Sequence, residues 1–305
     1  MLDRPSRALG AARGLALALV LALLPPMSSD ALANGKAQLL SAFTWQSSVE
    51  GFGGFSALAM GSDGLAFTVL SDRGRLGQGR LSRDAKGRIT GARLDSFVPL
   101  LGTEGEGLTR FRADSEGLAV RPDGRLYISF EGFHRVWTYA RPGGKAAWLP
   151  RHKDFEGLPI NKSLEALARA PDGTLYTIPE APNVGGTAFQ VYRYRRGNWD
   201  TPFTIPQRGD FLVTEAAIGP DGRFYLLERS FSLLGGFASR VRRFELRGDA
   251  LSHETVILET PRTERDNLEG MAIWQAPEGM RMTLISDDNE NFFQRTEIVE
   301  YALPR

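Results

Sequence analysis

Acidic residues recur in this chain at matched places within one repeated phrase. The clearest copy is Asp114-Ser-Glu-Gly-Leu-Ala-Val-Arg-Pro-Asp-Gly-Arg-Leu-Tyr-Ile-Ser-Phe-Glu131, where one apolar segment opens on Glu116 and a second closes on Glu131. The phrase returns with Glu165, Asp172 and Glu180, and again with Glu215, Asp221 and Glu228. Looser copies run from Phe55-Ser56 to Ser71-Asp72 and from Asn267-Leu-Glu269 to Asp287-Asp288. Carboxylates gathered in this way suit a hard cation such as Ca²⁺. The candidate ligands are Glu116, Glu165, Glu215, Glu269, Asp287 and Asp72, with Asn161, Asn183, Asn267, Asn289 and Asn291 as further oxygen donors. Close carboxylates also shift one another's pKa, which acid–base chemistry requires. Glu116, Glu165 and Glu269 are therefore candidate catalytic groups, and His134, three residues beyond Glu131, is a candidate general base. A structural use competes with this one. Arg73, Arg135 and Arg229 closely follow the second segments and suit ion pairs that would neutralise the carboxylates.

The elements that must position these groups are β-hairpins. Each phrase has two short apolar segments around a Pro-Asp-Gly or similar turn, so both acidic residues lie at the hairpin's open end. A two-residue Asp-Gly loop would set Glu116 opposite Glu131, Glu165 opposite Glu180, Glu215 opposite Glu228 and Glu269 opposite Asp288. The proline before the aspartate favours a type I turn with a glycine bulge instead, which moves the register by one. The turn residues Asp63, Asp123, Asp172, Asp221 and Glu278 lie 60, 49, 49 and 57 residues apart. A period near 50 with about four short strands per unit indicates an all-β fold, a β-propeller. Five units are clear. The longer spacings leave room for a sixth blade between Leu76 and Phe111, and six is the expected number. Pairing of Glu297–Ala302 with the strand near Leu39–Trp45 would close the ring. In a propeller the first strand of each blade lines the axis, so the carboxylates are expected at one axial mouth.

Composition narrows the chemistry further. Residues 1–33 read as a Sec-type signal peptide: Arg4, Arg7 and Arg13, then an apolar run Gly14–Leu24, then Ala31-Leu-Ala33 with cleavage after Ala33. This predicts a single domain over 34–305 in the periplasm or outside the cell, without stable membrane insertion. The full chain carries a net charge of +1, and loss of three Arg and two Asp with the signal brings it near zero. No basic excess remains to bind nucleic acid. With no cysteine, stability must come from the core or a bound ion. His134, His152 and His253 lack zinc-ligand spacing. No Gly-x-Ser-x-Gly elbow is present, and Gly51-Phe-Gly-Gly54 reads as a turn. Asp287-Asp-Asn-Glu-Asn291 resembles a calcium loop in composition only.

Gly54-Phe-Ser-Ala-Leu-Ala, Ser71-Asp-Arg-Gly74, Asp114-Ser-Glu-Gly-Leu-Ala, Leu164-Glu-Ala-Leu-Ala, Leu227-Glu-Arg229 and Asn267-Leu-Glu-Gly-Met-Ala are similar to motifs of the phytase-like family of exported bacterial proteins, described as showing esterase-like activity of phytase. Leu284-Ile-Ser-Asp-Asp-Asn289, Gln294-Arg295 and Tyr301-Ala-Leu303 carry the most specific part of the resemblance. More distantly, a propeller with a Glu-Gly mouth motif is similar to calcium-dependent lactonases and gluconolactonases. The resemblance implies an exported propeller that hydrolyses a small-molecule ester or phosphoester with help from Ca²⁺. The alternative is a non-catalytic propeller that binds a ligand or partner protein, its acidic ring being structural.

Overall fold

The computed structural model describes residues 35–289, 291 and 293–304, so the expected signal peptide lies outside the described residues. Apart from one short α-helix, α1 (Arg110–Ala113), and one 3-10 turn, these residues form strands and loops.

Four hairpins open the first four blades. Blade one consists of β2 (Phe55–Met60), β3 (Ala66–Ser71), β4 (Arg75–Arg83) and β5 (Ile89–Pro99). Blade two consists of β6 (Ser115–Val120), β7 (Leu126–Phe130), β8 (Arg135–Tyr139) and β9 (Ala146–Trp148). Blade three has β10 (Leu164–Arg169), β11 (Leu175–Pro179), β13 (Tyr192–Arg195) and β14 (Asn198–Asp200), with a side ribbon of β12 (Ala188–Gln190) and β15 (Thr204–Pro206). Blade four is β16 (Leu212–Ile218), β17 (Phe224–Ser232), β18 (Gly236–Arg247) and β19 (Ala250–Glu259). Blade five is β20 (Asn267–Ala276), β21 (Gly279–Asp287) and β22 (Glu297–Ala302), with β1 (Gln38–Thr44) antiparallel to β22 on its outer side, Thr44 opposite Glu297.

The inner strands β2, β6, β10, β16 and β20 stand side by side in chain order, and β20 lies beside β2. Apolar packing repeats this count, because five buried clusters fill the five gaps between blades. Phe130 and Trp137 of blade two meet Leu70 and Leu76 of blade one, for example, and Phe224 of blade four meets Tyr176 of blade three. The expected sixth blade is not formed. Its residues, from Leu76 onward, are the long third and fourth strands of blade one and the loop leading to α1. Strand length, not an extra blade, takes up the 60-residue spacing.

The turns at the far end from the mouth follow the proline. In blade two, Arg121 and Arg125 pair through Arg121 N–H to Arg125 O, leaving Pro122, Asp123 and Gly124 as a three-residue loop with Gly124 at φ 85°. Blades three and four turn in the same way, with Gly173 at 90° and Gly222 at 74°. A positive φ suits glycine because it lacks a Cβ. The facing glutamate pairs of a two-residue loop are therefore not formed.

Candidate functional site

Each inner hairpin contains a second irregularity, at the mouth. The register slips by one between Phe55 and Ala57, Ser115 and Leu118, Leu164 and Ala166, Val213 and Glu215, and Leu268 and Gly270. A β-bulge re-aims the residue that it leaves unpaired. Those residues are Ser56, Glu116 with Gly117, Glu165, Thr214 and Glu269. The glycines that follow two of the glutamates permit close blade packing. A Cβ on Gly117 would stand 2.6 Å from the Leu167 backbone nitrogen, and one on Gly270 would stand 2.8 Å from the Leu58 nitrogen. The Glu-Gly pair thus combines an inward carboxylate with a tight blade contact.

One residue past the pair that precedes each bulge, on the second strand, stands a second ring: Asp72, Glu131, Glu180, Arg229 and Asp287. Four positions are acidic and the fifth is arginine. Arg229 donates from Nη2 to Glu180 Oε1 at 3.2 Å and from Nη1 to Asn267 Oδ1 at 2.9 Å, and it forms an ion pair with Glu269. Asn267 Nδ2 donates to the same Glu269 oxygen at 2.7 Å. Partial burial opposes the charge on Arg229, but the charges on Glu269, Glu165 and Glu180 hold its pKa above the ordinary arginine value. Blade four therefore supplies the counter-ion for blades three and five.

This slip removes two expected mouth residues. Glu215 is 1% exposed and accepts the backbone N–H groups of Leu167 at 3.0 Å and Ala216 at 2.8 Å. It joins blades four and three rather than the axial cluster, which corrects its expected role as a mouth ligand. Burial raises its pKa well above the carboxylate range, against those hydrogen bonds. Glu228 lies opposite Val213 and accepts from Arg240 Nε at 2.9 Å and Arg242 Nη2 at 2.6 Å, all three side chains being buried.

Blade two, two places round the ring from blade four, gathers carboxylates of its own. Carboxylate oxygens of Asp114, Glu116 and Glu131 lie within 4.8 Å of one another. Burial raises the pKa of Glu116 well above its usual range, and the charges of Asp114, Glu269 and Glu131 add to the effect. Burial likewise pushes Glu131 up to about 7, despite a hydrogen bond from Ser163 N–H at 3.0 Å. Asp287 is pushed up to about 8, by burial first and then by Glu269. Glu165 is raised by burial and by Glu116 and Glu180, and its carboxylate has no hydrogen-bond partner among the described residues. Glu116, Glu165 and Asp287 each feel the charge of Glu269, so these four carboxyls lie close enough to influence one another's protonation. A cavity of about 500 Å³ opens between blades one and two, lined by Asp72, Arg73, Arg110, Asp114 and Asn289 among others.

Several residues fall elsewhere. His134 Nδ1 is 2.7 Å from Ser163 Oγ, and that hydroxyl lies 3.3 Å from the Glu131 carbonyl. Burial lowers the His134 pKa, and the ring braces the loop between blades two and three. Asp288, the rival to Asp287, accepts from Gly54 N–H at 3.2 Å and Thr296 Oγ1 at 3.0 Å, whereas Asp287 pairs with Asn267 at the strand end. Arg73 Nε lies 3.7 Å from Asp72. Arg135, expected in an ion pair, is stacked between Phe130 and Trp137 instead. Asp114 and Glu131 were absent from the expected ligand set, although they bracket the repeat's clearest copy.

A β-propeller of five blades with an acidic axial mouth is the class that fold and site define. The chain belongs to the phytase-like family: the family model described as esterase-like activity of phytase matches residues 50–290. No curated protein matches the sequence. Among solved structures, a putative gluconolactonase is 14% identical, with 88% of this chain and 93% of that chain covered, at a TM-score of 0.45. A glucose dehydrogenase is 13% identical over 85% and 98% of the two chains, at a TM-score of 0.44. An α-L-arabinofuranosidase from Podospora anserina is 11% identical over 88% and 98%, at a TM-score of 0.48.

Proposed function

We propose that the mouth binds a hard divalent cation, Ca²⁺ by class, and that the protein hydrolyses a small-molecule ester or phosphoester there. The observation that carries this reading is the convergence of Asp114, Glu116 and Glu131 on the side of the ring away from Arg229. Three oxygen donors with raised proton affinity fit a hard cation, which would take the place of the protons. When bound, such an ion polarises an ester or phosphoryl oxygen and acidifies water. Glu165 serves as the proton donor: burial and the charges of Glu116 and Glu180 raise its pKa well above the usual carboxylate range, which suits protonation of a leaving oxygen. Arg73 and Arg110 at the cavity favour an anionic substrate. Glu269 serves to orient Arg229, and Asp72 and Asp287 complete the acidic wall. Residues 1–33 direct the protein to the periplasm or outside the cell, and 34–305 act as one domain.

The test combines Ca²⁺ titration of chelator-treated protein with turnover of 4-nitrophenyl acetate and 4-nitrophenyl phosphate. Ca²⁺ is expected to raise Tm, and Glu116→Gln to abolish that rise. Turnover should disappear with chelator and in Glu165→Gln. Absence of both cation binding and turnover would sink the proposal. Cation binding without turnover would favour the second reading, a ligand- or partner-binding propeller, which the Arg229 ion-pair network supports because it already pairs two of the carboxylates, Glu180 and Glu269.

A further inference from the structure

Outside the mouth, blade two holds a pocket of unusual charge. Its volume is about 360 Å³, and its lining is Arg112, Phe133, Arg135, Trp137, Trp148 and Arg151, three guanidinium groups and three aromatic rings without a carboxylate. Arg135 forms its floor. It is 2% exposed, and its guanidinium carbon lies 3.9 Å from the Phe130 ring centre and 4.0 Å from that of Trp137. Its Nη groups donate to the carbonyls of Gly132 and Arg112, while its Nε has no partner among the described residues. Trp137 Nε1 is also buried without one. Arg151 has no hydrogen bond or ion pair among the described residues, and Arg112 reaches Glu106 only at 3.4 Å. Burying a guanidinium without an anion is unfavourable, and proteins generally supply one. Burial and the charges of Arg112 and Arg151 pull the Arg135 pKa down to about 10, against attraction from Asp114.

The walls add shape. Trp148 meets Trp137 edge-on at 5.3 Å and remains 56% exposed, and Phe133 is 53% exposed. The Phe133 backbone has φ 64° and the next residue φ 26°, a conformation that L-residues with large side chains rarely adopt. The chain accepts this strain to hold a ring over the pocket, against Phe111. Open aromatic faces beside three guanidiniums, of which Arg151 has no partner among the described residues, match a planar ring bearing a negative charge, which can stack and accept charged hydrogen bonds together.

We infer that this blade-two pocket binds a small aromatic anion, a carboxylate or phosphate on a planar ring, with Arg151 and Arg112 facing the anionic group and Trp148 and Phe133 covering the ring. The inference stands apart from the cation site, so it is tested with chelator present. The protein is titrated calorimetrically with 2-naphthoate and with neutral 2-naphthamide. Saturable 1:1 binding of the naphthoate is expected, at least about tenfold tighter than the amide. Arg151→Ala and Trp148→Ala should each weaken it by about tenfold with an unchanged Tm. These two side chains are exposed enough to be removed without unfolding the blade, whereas Arg135 is not. The inference is overturned by any of three results: no saturation up to about 10 mM, equal binding of the amide, or unchanged affinity in both variants.

Discussion

Arg229 Nη2 lies 3.2 Å from Glu180 Oε1, a contact in which blade four neutralises a carboxylate of blade three. The same guanidinium pairs with Glu269 of blade five, so one cation serves three blades. Removing one member of a buried pair leaves the other charge uncompensated, at a cost of about 3–5 kcal/mol. Arg229→Met is therefore expected to lower unfolding free energy by roughly that amount at pH 7, measured in urea, and by less at pH 5, because burial raises the proton affinity of Glu269 and a protonated Glu269 needs no counter-ion. An equal loss at both pH values would contradict the pairing.

Cation binding should depend on one side of the ring. Glu116→Gln and Glu131→Gln are each expected to reduce Ca²⁺ affinity at least about tenfold. Glu215→Gln should leave affinity unchanged, because Glu215 accepts backbone N–H groups away from that cluster. Isothermal titration of chelator-treated protein distinguishes these outcomes, and a large effect of Glu215→Gln would show the assignment to be mistaken.

The pH profile of the cation-free protein follows from the raised carboxyls. Glu131 is pushed up to about 7 and Asp287 to about 8 in the folded state, while both titrate near 4 when unfolded. The folded protein thus binds more protons between those values. Its stability is fully present at low pH and is lost as pH rises through about 7 to 8. A fall of at least about 1 kcal/mol between pH 5 and 8.5 is expected, with saturating Ca²⁺ flattening the slope. A profile that rises over this window would refute the assignment.

Gly117→Ala tests the blade contact. A new Cβ would meet Leu167 and Ser129 below 3 Å, against backbone as well as side chain. Such overpacking typically costs about 1–3 kcal/mol, and the expected drop in Tm should accompany weaker cation binding through displaced Glu116. Unchanged stability would mean that the blades can separate there at little cost.

Much of this architecture was readable in the residues. The turn chemistry of Pro122-Asp123-Gly124 marked the hairpins, and the Glu-Gly phrase marked the mouth. The missing signal in blade four was a distance. Glu116 and Glu165 each precede the turn proline by six residues, whereas Glu215 precedes Pro220 by five. Counting from the turn would have aligned Thr214 with Glu165 and Arg229 with Glu180. One residue matters because strand side chains alternate, and a slip turns each to the other face. The blade count erred for a different reason: sequence spacing does not separate one long-stranded blade from two short ones, as β4 and β5 show. The blade-two arginines were invisible as a group, since α1, β8 and β9 bring them together only in three dimensions.

The bulge at the head of each inner strand has an evolutionary consequence. The residue it holds stands outside the in-and-out alternation that packs the blades, so its identity can change without disturbing the apolar clusters. Five such positions already show three residue types: Ser56, Thr214 and the glutamates at 116, 165 and 269. A lineage could therefore exchange the chemistry of the axis one blade at a time, each step selected for function while the scaffold stays constant.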